Sequence, residues 1–268
     1  MSMVVEMSLR EHLEELRFRL LRVAVVVIVI TIFAMTFDLR PIEVNGVPLL
    51  YPYPNPFHNI SIRLTFYMQE TLLPQNVSLI QTAPGQALFS QIYVSMLLGL
   101  TLAIPVIMRE LSAFIAPAIS AKTKLGLVNI FLPSVALFIG GIAFSYLLVI
   151  PYVLDFLYQY GEALNAATFF TINNFLSFVL QFLLGFGIAF QLPILMYGIS
   201  LTNILPPRFW RTNFRYAALI MVIFGALITP DGSGVTMWLI AVPMLLLYLA
   251  GMLVVERRAA RAAMKTNT

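Results

Sequence analysis

Apolar residues gather into six stretches of the chain, at about 21–38, 87–108, 125–151, 170–202, 215–230 and 235–255, and polar residues crowd the segments between them. Several of these runs approach or exceed the roughly 18–20 residues needed to cross a hydrocarbon core about 30 Å thick. The pattern predicts an all-α polytopic membrane protein with six transmembrane helices. The intervening segments are too short for a separate soluble domain, so residues 1–268 read as a single integral membrane domain. The last two helices look short. Only fifteen residues separate Arg215 from Asp231, about 22 Å of helix at 1.5 Å per residue, and Pro243 interrupts the sixth run. Joined by the turn TPDGSG, the two predict a low hairpin at one edge, where a short hydrophobic length is met by thinning the bilayer.

The connection between the first two runs, Asp38 to Pro84, is long and reads as an ordered outer cap. It contains YPYPNPF at 51–57, whose prolines fix φ and stiffen an extended path. In NISIRLTFYM, Ile60, Ile62, Leu64, Phe66 and Met68 alternate with polar residues, which predicts a half-buried strand or hairpin. Both N-x-S sequons, at Asn59 and Asn76, fall in this connection.

Composition agrees with the pattern: 60% of residues are hydrophobic and 10% charged, against roughly 25% charged in a soluble domain. The placement of charge adds an orientation. Fourteen of the sixteen Lys and Arg residues lie in the N-terminus, the second and fourth connections and the tail, whereas the other connections hold only Arg40 and Arg63. By the positive-inside rule both termini are expected in the cytoplasm, with the protein in the cell membrane and the bilayer as its constant partner. The first run reads as a retained helix, since its exit TIFAMTFDLRP has no A-x-A cleavage site. The basic residues are accounted for by topology, and no nucleic-acid partner is expected.

What the membrane interior lacks excludes several activities. Away from the ends of the six runs there is no Asp, Glu, Lys, Arg or His, so a proton-coupled pump has no group at depth to carry its proton. The histidines, His12 and His58, lie outside the runs, no H-E-x-x-H helix or aspartate pair is present, and DGSG at 231–234 has no base of matching depth. With no cysteine, neither disulfides nor thiolate metal sites are available. The chain is not expected to be an enzyme, nor to hold a cofactor or metal. The polar groups left at depth are amides and hydroxyls, chiefly Gln181 and Gln191. Gln191 stands two residues before Pro193, where it can satisfy freed backbone or offer a polar point on a concave face to another chain.

The N-terminal stretch REHLEELRFRLLR places Glu11, Glu14 and Glu15 among arginines just before the first run. Two readings are open from the residues alone. Glu15 and Arg19 form an i,i+4 helix pair worth about 0.2 to 0.5 kcal/mol; alternatively, carboxylates at the inner interface can hold guanidinium groups by bidentate, charge-assisted bonds. The concavity near Gln191 also leaves open a small-solute channel or carrier.

The chain resembles the TatC family, the multispanning core of the twin-arginine protein translocase, along nearly its whole length. HLEELRFRLL at 12–21, FIAPAI at 114–119, LFIGGIAFSYLLVIP at 137–151, SFVLQFLLGFGIAFQLP at 177–193, LITPD at 227–231 and AVPMLLLY at 241–248 carry the likeness in this order. The resemblance implies a receptor that binds twin-arginine signal peptides of folded cargo on its cytoplasmic face, recruits single-span A-type and B-type subunits, and associates with further copies of itself. It assigns peptide binding to Glu15, with Arg17 holding Glu15 in place and Phe114 and Pro117 in a loop that closes the surface. Glu11, Glu14 and Glu110 are accessory acids, Gln191 an intramembrane polar contact, and Thr229, Pro230 and Asp231 a partner-facing hairpin. The chain departs from the family pattern at Thr123 and Gln191, where similar proteins usually carry glutamate, and at Leu249, where an acid is common. Glu14 or Glu110 is then expected to compensate for Thr123.

Overall fold

The computed structural model describes residues 9–44, 47–74, 77–115, 124–164, 169–201, 204–229 and 234–266. The first helix, α1, runs Leu9–Thr36, so the acidic and basic N-terminal stretch is one continuous helix with the apolar run. The chain then turns into a two-stranded antiparallel ribbon, β1 (Phe37–Val44) and β2 (Val47–Pro54), registered Phe37 to Pro54 and Val44 to Val47. Pro41, Pro48, Pro52 and Pro54 all sit in this ribbon; proline donates no ladder hydrogen bond, and a two-stranded ribbon consists of edges, where that loss is tolerated.

The alternating segment after the ribbon is a helix, α2 (Ile60–Leu72), which corrects the strand expected there. Asn59 decides the matter. Its Oδ1 accepts from the Ile62 backbone N–H at 3.0 Å, and its Nδ2 donates to the carbonyls of Met35 at 2.6 Å and Pro56 at 2.9 Å. An N-cap of this kind is worth about 1 kcal/mol, and here it also ties α2 to the end of α1. Ser61, Met68 and Leu72 are buried at helical spacing, which overrides the period-two pattern. Asn59 is 0% exposed with both ends of its amide engaged, so that sequon is closed to modification; Asn76 lies outside the described residues.

A short strand β3 (Leu79–Ile80) leads to α3 (Gln86–Ile115), which passes through Pro105. The next run is helical from α4 (Lys124–Phe144) through a single π turn at Ser145–Val149 into α5 (Ile150–Ala163), twelve residues beyond the predicted end at 151. Pro151 does not stop it, because it follows directly on the π turn, where Ile150 N–H bonds back to the Ser145 carbonyl and the ladder is already shifted at the residue that cannot donate. The extension is amphipathic: Ile150, Val153, Leu154 and Tyr158 are buried, and Asp155 and Glu162 are exposed. Strand β4 (Phe170–Thr171) pairs in parallel with β3 and joins this connection to the first.

The fourth run divides into α6 (Ile172–Ala189) and α7 (Leu192–Leu201), with Phe190 and Gln191 as the break. Pro193 explains it, since it cannot donate to the carbonyl four residues back. Helix α6 is the centre of the molecule: Phe175, Leu176, Val179, Phe182, Leu183 and Phe186 are buried in the main core. After a single turn, α8 (Phe209–Thr212), come α9 (Phe214–Ile228) and α10 (Gly234–Thr266). The fifteen residues of α9 are as short as predicted, but α10 continues through Pro243 for thirty-three. Shortness is therefore confined to α9. Arg258 stands over the Tyr197 ring at 5.2 Å and donates to Ser200 Oγ at 3.3 Å, and Arg211 makes two bonds to Glu256 at 2.7 and 2.8 Å. These contacts hold the polar extension of α10 in helical form.

Five helical stretches among the described residues are long and apolar enough to cross a membrane: Leu13–Thr36, Gln86–Leu111, Phe131–Ala163, Ile172–Leu201 and Gly234–Arg261, with α9 as a shorter apolar helix. They pack closely at specific points. A Cβ on Gly99 would collide with the Thr31 hydroxyl and lie 2.8 Å from the Val27 carbonyl. Small residues let backbones approach where lipid supplies no hydrophobic drive between helices, and this one lets α1 and α3 meet along their lengths.

Candidate functional site

The close antiparallel packing of α1 on α3 brings the beginning of one to the end of the other. At that end Arg19 lies between two carboxylates. Its Nη1 donates to Glu110 Oε2 at 3.0 Å, its Nε to Glu15 Oε1 at 3.1 Å, and its Nη2 also to Glu15 Oε1. Glu110 is 5% exposed. Arg22 lies 3.6 Å from its Oε2 and Arg109 3.8 Å from its Oε1, so the acid is embedded among three guanidinium groups. Burying one carboxylate demands such compensation. Glu15 Oε2 is enclosed with no hydrogen-bond partner among the described residues, so Arg19 occupies one oxygen of Glu15.

The resemblance implies a holding role for Arg17, and the side chain that contacts Glu15 is that of Arg19. Arg19 holds Glu15; residues four apart share a helix face, whereas residues two apart point away from each other. Arg17 is exposed and lines a shallow apolar hollow with Leu13, Leu16, Leu20, Leu21 and Ala24. Glu11 and Glu14 are exposed on α1, and Phe114 is half-buried in the last turn of α3. Pro117 and Thr123 lie outside the described residues. Glu110, expected from the resemblance only as an accessory acid, is the group brought against Glu15 through Arg19; the distance of ninety-one residues between Arg19 and Glu110 hides this from any local pattern.

Gln191 occupies the break between α6 and α7. Its Nε2 donates to the Ser134 carbonyl on α4 at 3.1 Å, and its Oε1 is buried without a hydrogen-bond partner among the described residues. Gln181 is exposed in a groove of about 230 Å³ between α3 and α6, with Tyr93, Met96, Leu97, Leu100, Ser177, Leu180 and Leu184. In the α9–α10 connection, Thr229 is buried and its Oγ1 donates to the Gly225 carbonyl at 3.1 Å, closing the end of α9. Pro230 and Asp231 lie outside the described residues.

Sequence reasoning missed a cluster at the opposite end. Asp38, 2% exposed, meets Arg63 at 2.9 Å and Arg40 at 3.4 Å, and Arg40 also stands 4.5 Å over the Tyr53 ring. The two arginines that the charge count set apart from the other fourteen thus converge on one aspartate. An acid at the exit of an apolar run was the available signal.

A bundle of long apolar helices with charged groups gathered at its two ends defines a multi-pass membrane protein, and the comparisons place it. The family profile described as Sec-independent protein translocase protein (TatC) matches residues 11–243. The chain is 51% identical over 254 residues to the Sec-independent protein translocase protein TatC of Cenarchaeum symbiosum, covering 94% of this chain and 96% of that one. It is 32% identical to the TatC of Aquifex aeolicus over 243 residues, covering 90% and 92%. The fold superposes on a crystal structure of the twin arginine translocase receptor TatC with a TM-score of 0.75 and 29% identity, over 92% of this chain and 98% of that chain. The chain belongs to the TatC family. It is a protein-translocase component, with a transport rather than a catalytic role.

Proposed function

We propose that this chain is the receptor and scaffold subunit of a twin-arginine translocase. In this reading it lies in the cell membrane with both termini in the cytoplasm, crosses the bilayer six times, and binds the arginine pair of signal peptides on its cytoplasmic face. The observation that carries the proposal is the arrangement of Glu15 and Glu110, two carboxylates of different helices held at the spacing of one guanidinium. A site already shaped around guanidinium prefers arginine to lysine, because the planar fork delivers two parallel hydrogen bonds and an ammonium acts as a point charge.

The basic end also supports the orientation. Arg19 and Arg22 meet Glu110, Arg211 meets Glu256, and Arg258 meets Ser200, so segments rich in positive charge are tied together at helix ends rather than scattered. For the scaffold role, Gln191 supplies the support: an enclosed, unpaired carbonyl oxygen in the membrane-spanning part is suited to a donor on a partner's single transmembrane helix.

The test is photo-crosslinking of a signal peptide carrying R-R, beside a K-K control, to the full-length chain in membranes. Capture of the R-R peptide at the start of α1, reduced at least tenfold for K-K, is expected. Equal capture of both peptides, or capture confined to the other end of the molecule, would remove the receptor reading.

A further inference from the structure

The receptor site contains its own arginine. We infer that Arg19 is a resident occupant of the Glu15–Glu110 clamp, which the first guanidinium of an incoming signal peptide must displace, so that the free receptor is self-blocked. The inference rests on the proposal that Glu15 takes part in peptide recognition, and it adds a competitor and a second carboxylate to that site.

Three observations lead to it. First, Arg19 uses Nε, Nη1 and Nη2 on two carboxylates from helices α1 and α3, the contacts an arginine ligand would make. Second, neither carboxylate is saturated. Among the described residues Glu15 Oε2 is enclosed without a hydrogen bond, and Glu110 Oε1 has Arg109 alone, at 3.8 Å. A carboxylate offers about four acceptor positions over its two oxygens, so capacity remains for a second guanidinium once the first has exchanged. Third, Glu110 retains Arg22 and Arg109 nearby when Arg19 leaves, so the exchange does not strand a bare buried charge.

Exchange of one guanidinium for another changes little in the clamp itself. It therefore filters ligands. A lysine, with a single compact ammonium, cannot reproduce the bridge between both carboxylates and does not dislodge Arg19; two neighbouring arginines can take its seat and use the spare oxygens. The specificity for a pair arises from competition with a residue of the receptor, in addition to attraction by acids.

The experiment measures binding of a synthetic R-R signal peptide, with its K-K counterpart, to the reconstituted full-length chain and its variants. Arg19→Gln removes the competitor and is expected to tighten R-R binding about tenfold, the factor corresponding to 1.4 kcal/mol, while narrowing the preference over K-K. Arg10→Gln is the charge control, since Arg10 is exposed on the same helix and has no part in the clamp; it should alter binding less than threefold. Glu110→Gln should weaken binding of the R-R peptide. On the unaltered chain, arginine-selective phenylglyoxal labelling read by mass spectrometry provides a measurement independent of variant folding: Arg19 should become more reactive when R-R peptide is added and not when K-K is added. Weaker or unchanged binding by a folded Arg19→Gln protein, or unchanged labelling of Arg19 at saturating peptide, overturns the inference. The two failures are separable, because Glu15→Gln tests the receptor site itself. Loss of binding there with no gain from Arg19→Gln leaves the receptor reading standing and makes Arg19 a support; full binding by Glu15→Gln removes both.

Discussion

Asp38 Oδ2 accepts a hydrogen bond from Arg63 Nη2 at 3.2 Å, and its Oδ1 lies 2.9 Å from the same nitrogen as an ion pair, across the junction of α1, the β-ribbon and α2. Arg40 reaches the same carboxylate from the ribbon at 3.4 Å. The aspartate is buried while both arginines extend into solvent, so the cost of breaking the cluster depends on which partner is removed. Either arginine alone can be replaced with a small loss. The double variant Arg40→Ala/Arg63→Ala leaves an uncompensated buried carboxylate, an effect of about 3 kcal/mol, so its thermal unfolding in detergent should fall by more than the sum of the two single shifts. Adding Asp38→Asn to the double variant should restore much of the loss. Strict additivity, or no rescue by Asn, would show that Asp38 is not held as a charge.

The same two arginines test the orientation. Because the other basic residues gather at the opposite end, a reporter that is active only after export should be inactive when fused after Thr268 and active when inserted at the ribbon turn between Val44 and Val47. An active exported reporter at the C-terminus would reverse the topology and move the Glu15–Glu110 clamp away from the compartment where signal peptides arise.

Gly99 links packing to the clamp. A side chain there meets the α1 backbone at the Val27 carbonyl, so Gly99→Val must push α1 and α3 apart. Overpacking typically costs about 1 to 3 kcal/mol, and the expected outcome is a lowered unfolding temperature together with weaker peptide binding, since Glu15 and Glu110 lie on those two helices. Gly140, around which a Cβ meets nothing within 4 Å, is the control, and Gly140→Ala should leave both measurements unchanged.

The helices were legible because apolar length is a strong local signal, and the break before Pro193 followed from the missing N–H. The strand assigned to residues 60–68 failed because Asn59, whose three side-chain bonds reach Met35, Pro56 and Ile62, settles the local structure through contacts that periodicity does not contain. In α10 the missing N–H of Pro243 removes one rung without ending the helix, and the contacts of Arg258 with Tyr197 and Ser200 and of Glu256 with Arg211 lie beyond it, at the polar end. In the site, Glu15 was visible in its motif. Its relation to Glu110 was not, because it exists only once α1 and α3 pack. Arg19 was visible as a helix neighbour of Glu15, but its second carboxylate was not.

Gln191 allows the scaffold role to be separated from folding. Its Nε2 donates to the Ser134 carbonyl, and its enclosed Oε1 has no hydrogen-bond partner among the described residues. Gln191→Leu removes both groups, whereas Gln191→Glu keeps an oxygen acceptor in place of Oε1. If Oε1 receives a donor from a partner's transmembrane helix, Gln191→Glu should retain much of the transport and crosslinking to the single-span subunits, and Gln191→Leu should lose both. One interhelical hydrogen bond is worth about 0.6 to 2 kcal/mol, so the unfolding temperature of the isolated chain should barely move while partner crosslinking falls several-fold. A Gln191→Leu protein that exports cargo normally and crosslinks its partners at the usual level would reduce Gln191 to an amide that steadies the α6–α7 break.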